Sequence, residues 1–154
     1  MSAQSAVPDM QRNGWWTPDD LFAEIAGRFG PFDVDAAADA TNTKCRVFIT
    51  EEMDALAQPW VGRVWCNPPY DRHPGIERWV KKAYRETAAY GTCELACLLL
   101  PADTSTAWFH DVVLPHAEIH WIRGRVTFGA KRYHARTPVF VVLFRKRHVS
   151  RRVV

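Results

Sequence analysis

The residues best suited to chemistry are four consecutive ones, Asn67-Pro68-Pro69-Tyr70. Residues 61–66 before them predict a β-strand, which places the four at the carboxyl end of a strand, where α/β folds bind their ligands. Two successive prolines fix φ and remove two backbone donors, and Asn67 is held extended because a proline follows it. The predicted result is a rigid rim that presents amide and carbonyl oxygens beside an aromatic ring.

Such a rim suits a planar amine. The exocyclic amine of a nucleobase is a weak nucleophile because its lone pair is delocalised into the ring. The Asn67 side-chain oxygen and the Pro68 carbonyl can accept its two hydrogens and favour a pyramidal nitrogen, while Tyr70 stacks on the base. Asparagine is not a general base at neutral pH, so its predicted role is orientation and electrostatic stabilisation. The alternative interpretation is a proline-rich turn with a packed tyrosine.

The elements around this motif alternate between strands and helices. The apolar patterns predict strands at 32–35, 45–49, 61–66, 94–100, 118–122, 126–128 and 139–144. They predict helices from an N-cap at Thr17 with Pro18 as first residue up to Gly30, over 76–90 with Gly91 as C-cap, and over 104–113. This order predicts an α/β fold with a mostly parallel sheet, whose last strands are antiparallel because little separates them.

Length and composition limit the classes of protein. The 154 residues indicate one domain, and 47% hydrophobic with 24% charged residues excludes disordered, collagen-like and coiled-coil chains. The longest apolar run, residues 95–100, is too short to cross a membrane, and no secretory signal is visible at the start. We therefore expect a cytoplasmic protein that does not bind a membrane.

The cysteines and histidines do not indicate a metal site. Four cysteines lack paired Cys-x-x-Cys spacing and are expected to be reduced and buried, and six histidines lack metal-ligand spacing. Net charge is +3, with basic clusters at 131–136 and 145–152. Such clusters favour a polyanionic partner, although a solvated basic tail is the plainer alternative.

Taken in order, the motifs of this chain resemble the phage-type DNA N-6-adenine methyltransferases, small relatives of the Dam class. The resemblance covers residues 15 to about 145. It rests on Trp16-Thr-Pro18, Phe32-Asp-Val-Asp-Ala-Ala-Ala38, Asn42-Thr-Lys-Cys45, Asp54-Ala-Leu56, Trp60, Asn67-Pro-Pro-Tyr70, Leu100-Pro-Ala102 and Gly124-Arg-Val-Thr-Phe128.

The resemblance implies a single-domain class I (Rossmann-like) methyltransferase fold, S-adenosyl-L-methionine as methyl donor, and the adenine N-6 amine of double-stranded DNA as acceptor. Asp35 matches the acidic residue near the methionine half of the cofactor, and Asp54 matches the one that binds the adenosine half. Trp16, Thr17 and Pro18 match the segment that wraps the cofactor.

One departure from the pattern follows the first strand. Ala36-Ala37-Ala38 stands where a Gly-x-Gly loop is usual, although alanine is small enough to allow partly the close approach that glycine permits. Ala36 is kept among the expected cofactor contacts, and Asn67 is expected to contact the cofactor as well as the amine.

The expected organisation is a leader at 1–14, a catalytic domain at 15–147 and a basic tail at 148–154. Only 32 residues separate Asp35 from Asn67, which leaves no room for a recognition domain between them. Two loops, 71–75 and 129–138, are therefore expected to contact DNA. Their candidate residues are Arg72, Lys131, Arg132 and Arg136.

Two other functions remain open. An RNA adenine or protein glutamine N-methyltransferase suits the same Asn-Pro-Pro-Tyr motif, because both methylate a planar amine. A noncatalytic DNA-binding module of this fold is the alternative from another class, and the intact motif argues against it. If the chain is phage-encoded, the expected compartment is the cytoplasm of the bacterial host.

Overall fold

The computed structural model describes residues 16–70, 75–129 and 138–149. Its strands are β1 (Val34–Asp35), β2 (Val47–Phe48), β3 (Gly62–Cys66), β4 (Cys93–Pro101), β5 (Glu118–Trp121) and β6 (Val139–Arg145). Its helices are α1 (Asp19–Phe29), α2 (Ile76–Glu86) and α3, a π-helical turn Phe109–Val113 continued by Leu114–His116.

The strands form one sheet in the order β2-β1-β3-β4-β6-β5. The first four are mutually parallel, whereas β6 pairs antiparallel with both β4 and β5. The mixed α/β fold with an antiparallel C-terminal part is therefore confirmed. Because Pro101 pairs with Val139 and Leu95 with Arg145, the chain enters β6 at the carboxyl edge of the parallel strands and leaves it at the opposite edge.

The core lies on both faces of this sheet, and β4 contributes to each. Leu98 and Leu100 join the cluster under α2 and α3, while Leu95, Cys97 and Leu99 join the cluster that contains Ile25 of α1. Residues 95–100 of β4 are all buried and all apolar, as expected for a strand that is covered on both faces. The apolar run in the sequence therefore predicts the position of this strand in the sheet.

Both long helices differ at one end from their predicted bounds. The α1 helix begins at Asp19 with Pro18 as N-cap, so the predicted N-cap role of Thr17 is wrong; Thr17 is instead 2% exposed. The α2 helix ends at Glu86 rather than 90. Its C-cap is the buried Thr87, whose hydroxyl donates to the Ala83 carbonyl at 2.9 Å, so the predicted cap Gly91 lies beyond the helix.

The predicted strand at 126–128 is also wrong. Among the residues that the structure describes they pair with no strand, and Phe128 is fully buried against Tyr70, with ring centroids 5.9 Å apart. Its apolar character reflects burial of one side chain rather than backbone pairing. The helix predicted at 104–113 lies later in the chain, with its π-helical turn and final turn reaching His116.

The described cysteines are all free thiols, and three of the four are buried. Within the described ranges, no helix combines the length and apolar character needed to cross a bilayer.

Candidate functional site

The candidate site lies where β1 and β3 end side by side. Asp35 is in register with Trp65, and the Ala36 amide donates to the Trp65 carbonyl at 2.9 Å, which extends the pairing by one step. Asn67 follows two residues after Trp65. A pocket of about 220 Å³ opens at this edge.

Four of the residues predicted to bind cofactor line this pocket together: Trp16, Thr17, Asp35 and Asn67. The elements that bring them there are separate in sequence. Trp16 and Thr17 precede α1, Asp35 is the last residue of β1, and Asn67 follows β3. A shared edge of parallel strands is the reason for their convergence.

The other three predicted cofactor residues do not line it. Ala36 is adjacent and 1% exposed, and Pro18 is the N-cap of α1. Asp54 is exposed in the turn after β2, at a φ of 56°, and its carboxylate accepts from the Leu56 amide at 3.1 Å. That bond explains the local turn, and the role of Asp54 toward adenosine stays a prediction.

Asp35 is a buried carboxylate at the pocket wall. It is 3% exposed and accepts backbone hydrogen bonds from Ala37 at 3.2 Å and Lys44 at 3.0 Å. Burial raises the pKa of its carboxyl group to about 6, against the opposing effect of those two bonds. Such a group favours a cationic partner, because the loss of water around its charge is only partly compensated.

The segment after β1 supplies residues for which the sequence indicated no role. Asn42 and Lys44 both line the pocket. The Asp39 carboxylate accepts from the amides of Thr41 at 2.7 Å and Asn42 at 3.1 Å, which folds the segment back toward β1. The Lys44 ammonium is 11% exposed and pairs with Asp19 in the first turn of α1.

Ala37 and Trp65 complete the wall. Ala37 belongs to the segment that replaces a glycine-rich loop, and its small side chain lies at the pocket at 9% exposure. Trp65 is 1% exposed and was predicted only as a strand residue. The Asn42-Thr-Lys-Cys45 motif was the one feature that could have pointed to Asn42 and Lys44.

The aromatic residue of the motif is held from two sides. The Tyr70 hydroxyl donates to the Leu99 carbonyl of β4 at 2.8 Å, and its ring meets Phe128 edge to face. Burial raises the pKa of Tyr70 well above its usual range, so the hydroxyl remains a donor. Asn67, three residues earlier, is 6% exposed and borders the pocket.

Tyr70→Phe is expected to lower the free energy of unfolding by about 1 kcal/mol, because it removes one buried hydrogen bond. Turnover should stay within a few-fold, since the ring face is kept. Tyr70→Ala should destabilise the fold by about 3–5 kcal/mol and weaken engagement of a stacked base by about 1–3 kcal/mol. Denaturant unfolding and turnover on saturating substrate measure the two effects; a Phe variant as inactive as the Ala variant would contradict stacking.

The residues predicted to contact DNA, Arg72, Lys131, Arg132 and Arg136, lie outside the described residues. The two ends of the 129–138 loop, however, lie at the carboxyl edge of the sheet, where the pocket is. The Gly129 amide donates to the Trp16 carbonyl at 3.0 Å, and the Ala102 amide donates to the Pro138 carbonyl at 2.8 Å. Among the described residues, no group of three histidine, cysteine or acidic side chains is placed to hold a metal ion.

Comparison with known proteins bears on this site. The model of a family described as DNA N-6-adenine-methyltransferase (Dam) matches residues 4–148. A DNA N-6-adenine-methyltransferase of Escherichia phage T1 is 42% identical over 124 residues, which are 79% of this chain and 49% of that protein. A protein of the same name from Haemophilus phage HP1 is 31% identical over 153 residues, 94% of this chain and 85% of the relative. The chain thus spans about half the length of the T1 protein and most of the HP1 protein.

Proposed function

This chain belongs to the DNA N-6-adenine-methyltransferase (Dam) family, and from that premise we propose that it methylates the N-6 amine of adenine in double-stranded DNA with S-adenosylmethionine as donor. The observation that carries the proposal is the meeting of Asp35 and Asn67 at one pocket, on the ends of adjacent parallel strands.

The sheet supports assignment to the Rossmann-like, class I methyltransferase fold. Parallel strands with helices on both faces carry ligands at their carboxyl edge, and the pocket lies at that edge between β1 and β3. The antiparallel β6 lies between β4 and β5, so it does not alter the carboxyl ends of β1 and β3.

The polar groups of the pocket fit the methionine half of the cofactor, which is a zwitterion. The Asp35 carboxylate suits an ammonium group, whereas the Lys44 ammonium and the Asn42 amide suit a carboxylate. Lys44 already pairs with Asp19, so it is held near the pocket before a ligand arrives. The indole ring of Trp16, another residue of the pocket wall, offers apolar and cation-attracting surface.

The lining of the pocket agrees with this division. Its charged side chains are those of Asp35 and Lys44, and Asp54 does not line it. We infer that these residues hold the amino-acid half, and that the adenosine half extends beyond them. Asp54 is kept as the candidate for that half.

The bound cofactor supplies an electrophilic methyl group on a sulfonium. The chain itself positions the amine. The Asn67 side-chain oxygen and the Pro68 carbonyl accept hydrogen bonds from its two N–H groups. These bonds favour a pyramidal nitrogen, whose lone pair is not delocalised into the ring. Pro68 and Pro69 hold these acceptors rigidly, so little reorganisation is needed during transfer. Burial of Asn67 excludes water that would compete for the amine.

We further propose that Arg72, Lys131, Arg132 and Arg136 contact the duplex. The support is that Gly129 bonds Trp16 of the pocket wall, while Pro138 bonds Ala102 at the carboxyl end of β4, on the same edge of the sheet. A reduced, DNA-containing compartment such as the cytoplasm of a bacterial host fits the free thiols.

The test of function is incubation of unmethylated duplex DNA with methyl-labelled S-adenosylmethionine, followed by digestion to nucleosides. We expect the label in N-6-methyladenine. Parallel reactions with RNA and with protein extract test the alternatives. Label in RNA adenine or in glutamine would show that RNA or protein, rather than DNA, is the substrate. DNA binding with no labelled product would favour the noncatalytic module.

A further inference from the structure

The β5 strand ends at the same edge of the sheet as Asn67. Both β4 and β5 pair antiparallel with β6, so they run in the same direction, and Trp121 is the last residue of β5. Arg123 and Arg125 follow it directly, separated by Gly124, whose φ is 80°. We call Trp121, Arg123 and Arg125 the β5 rim.

The two arginines of the β5 rim are exposed and, within the described ranges, neither forms an ion pair. Other arginines on the same sheet are engaged, since Arg145 pairs with Glu118 and Arg63 with Glu94. Two cations two residues apart, with no ion pair to the described residues, favour an anion that contacts both. The edge that carries the pocket therefore also carries positive charge.

Trp121 adds an aromatic surface to these charges. Its ring is 64% exposed although one face packs on Phe140, with centroids 5.5 Å apart and planes 27° apart. Phe140 is fully buried and stacks in turn on Trp108. The exposed Trp121 ring is therefore held in place by core residues. A fixed aromatic beside cations is an arrangement that nucleic acid binding uses.

We propose that the β5 rim binds the sugar–phosphate backbone of the substrate duplex to one side of the target adenine. Arg123 and Arg125 neutralise phosphates, and Trp121 packs against the sugar between them. This inference rests on the proposed function, because it takes DNA as the substrate. Charge complementarity and the shared edge with Asn67 select the duplex as occupant.

The sheet sets the distance of this contact from the reaction. Three strand spacings separate β3 from β5, which is about 14 Å across the sheet. At about 3.4 Å per nucleotide along one strand, the contact lies roughly four nucleotides from the target base. A duplex that ends closer than that to its adenine should lose the contribution of the β5 rim.

The experiment is equilibrium binding of a fluorescent mixed-sequence duplex over a salt series. Arg123→Ala and Arg125→Ala should each weaken binding roughly tenfold at about 0.1 M salt and lower the salt slope by about 1. Trp121→Ala should weaken binding with the slope unchanged, because no charge is lost. The matched control is Arg46→Ala. Arg46 is an exposed arginine just before β2, which is the outermost strand on the side of the sheet away from β5.

Rim variants that bind like Arg46→Ala would overturn the assignment. A wild-type protein that binds no duplex would instead remove the proposed function together with the inference. Arg123→Lys keeps the charge and should keep the slope. If wild type distinguishes duplexes of different sequence and this variant does not, the arginine reads bases and a backbone contact is contradicted. Unchanged thermal unfolding in each variant confirms that the fold is intact.

Discussion

Asn67→Ala is expected to lower the turnover number by roughly 10²–10³-fold. Asn67 lines the pocket at 6% exposure, so its amide oxygen acts where water is excluded and a lost preorganised contact is costly. Pro68 and Pro69 keep the rim in place, so the alanine variant should fold. Single-turnover transfer of a labelled methyl group to DNA measures the effect.

Asn42→Ala is the control for this change, because it removes another amide from the wall of the same pocket. It should weaken cofactor binding and leave turnover at saturating cofactor close to wild type. Asn67→Ala should do the reverse, with cofactor affinity little changed. Wild-type turnover in Asn67→Ala would exclude Asn67 from the reaction.

The parts of the site that sequence could predict are those determined by neighbouring residues. Asn67 to Tyr70 follow an apolar strand, and two prolines dictate their conformation whatever surrounds them. Asp35 likewise closes a strand. These local rules suffice to place both residues at a strand end, and a parallel sheet then brings the strand ends together.

Contacts between segments that are distant in sequence could not be predicted, because these rules concern only neighbouring residues. Lys44 reaches the pocket because Asp39 folds the intervening turn and Asp19 of α1 holds the ammonium. Phe128 looks like part of a strand although it fills the space beside Tyr70. In each case the partner lies far away in sequence, where neither periodicity nor capping rules apply.

Asp35→Asn is expected to raise the dissociation constant of S-adenosylmethionine by about 10²–10³-fold at about pH 8, because a buried ammonium that loses a charged partner costs several kcal/mol. The carboxylate that provides this partner is 3% exposed. Wild-type affinity should also fall tenfold per pH unit below pH 6, because the Asp35 carboxyl group has a pKa of about 6 and binds the cation only when ionised. Calorimetric titration from about pH 5 to 8 tests both; the affinity of the asparagine variant should not follow this dependence.

Stability should change in the opposite direction, which separates lost binding from lost folding. Burial raises the Asp35 pKa from 3.8 to about 6, so the folded state holds its proton more tightly than the unfolded state. Wild-type stability is therefore lost as pH rises from about 4 through 6, by up to about 3 kcal/mol. The Asp35→Asn variant has no charge to bury at this position, although the new amide oxygen replaces only part of the two backbone bonds. The variant should thus equal or exceed wild type in unfolding free energy at about pH 8, with the difference shrinking toward pH 4. A variant that is less stable than wild type at the higher pH would mean that the hydrogen bonds of Asp35 outweigh the cost of its buried charge.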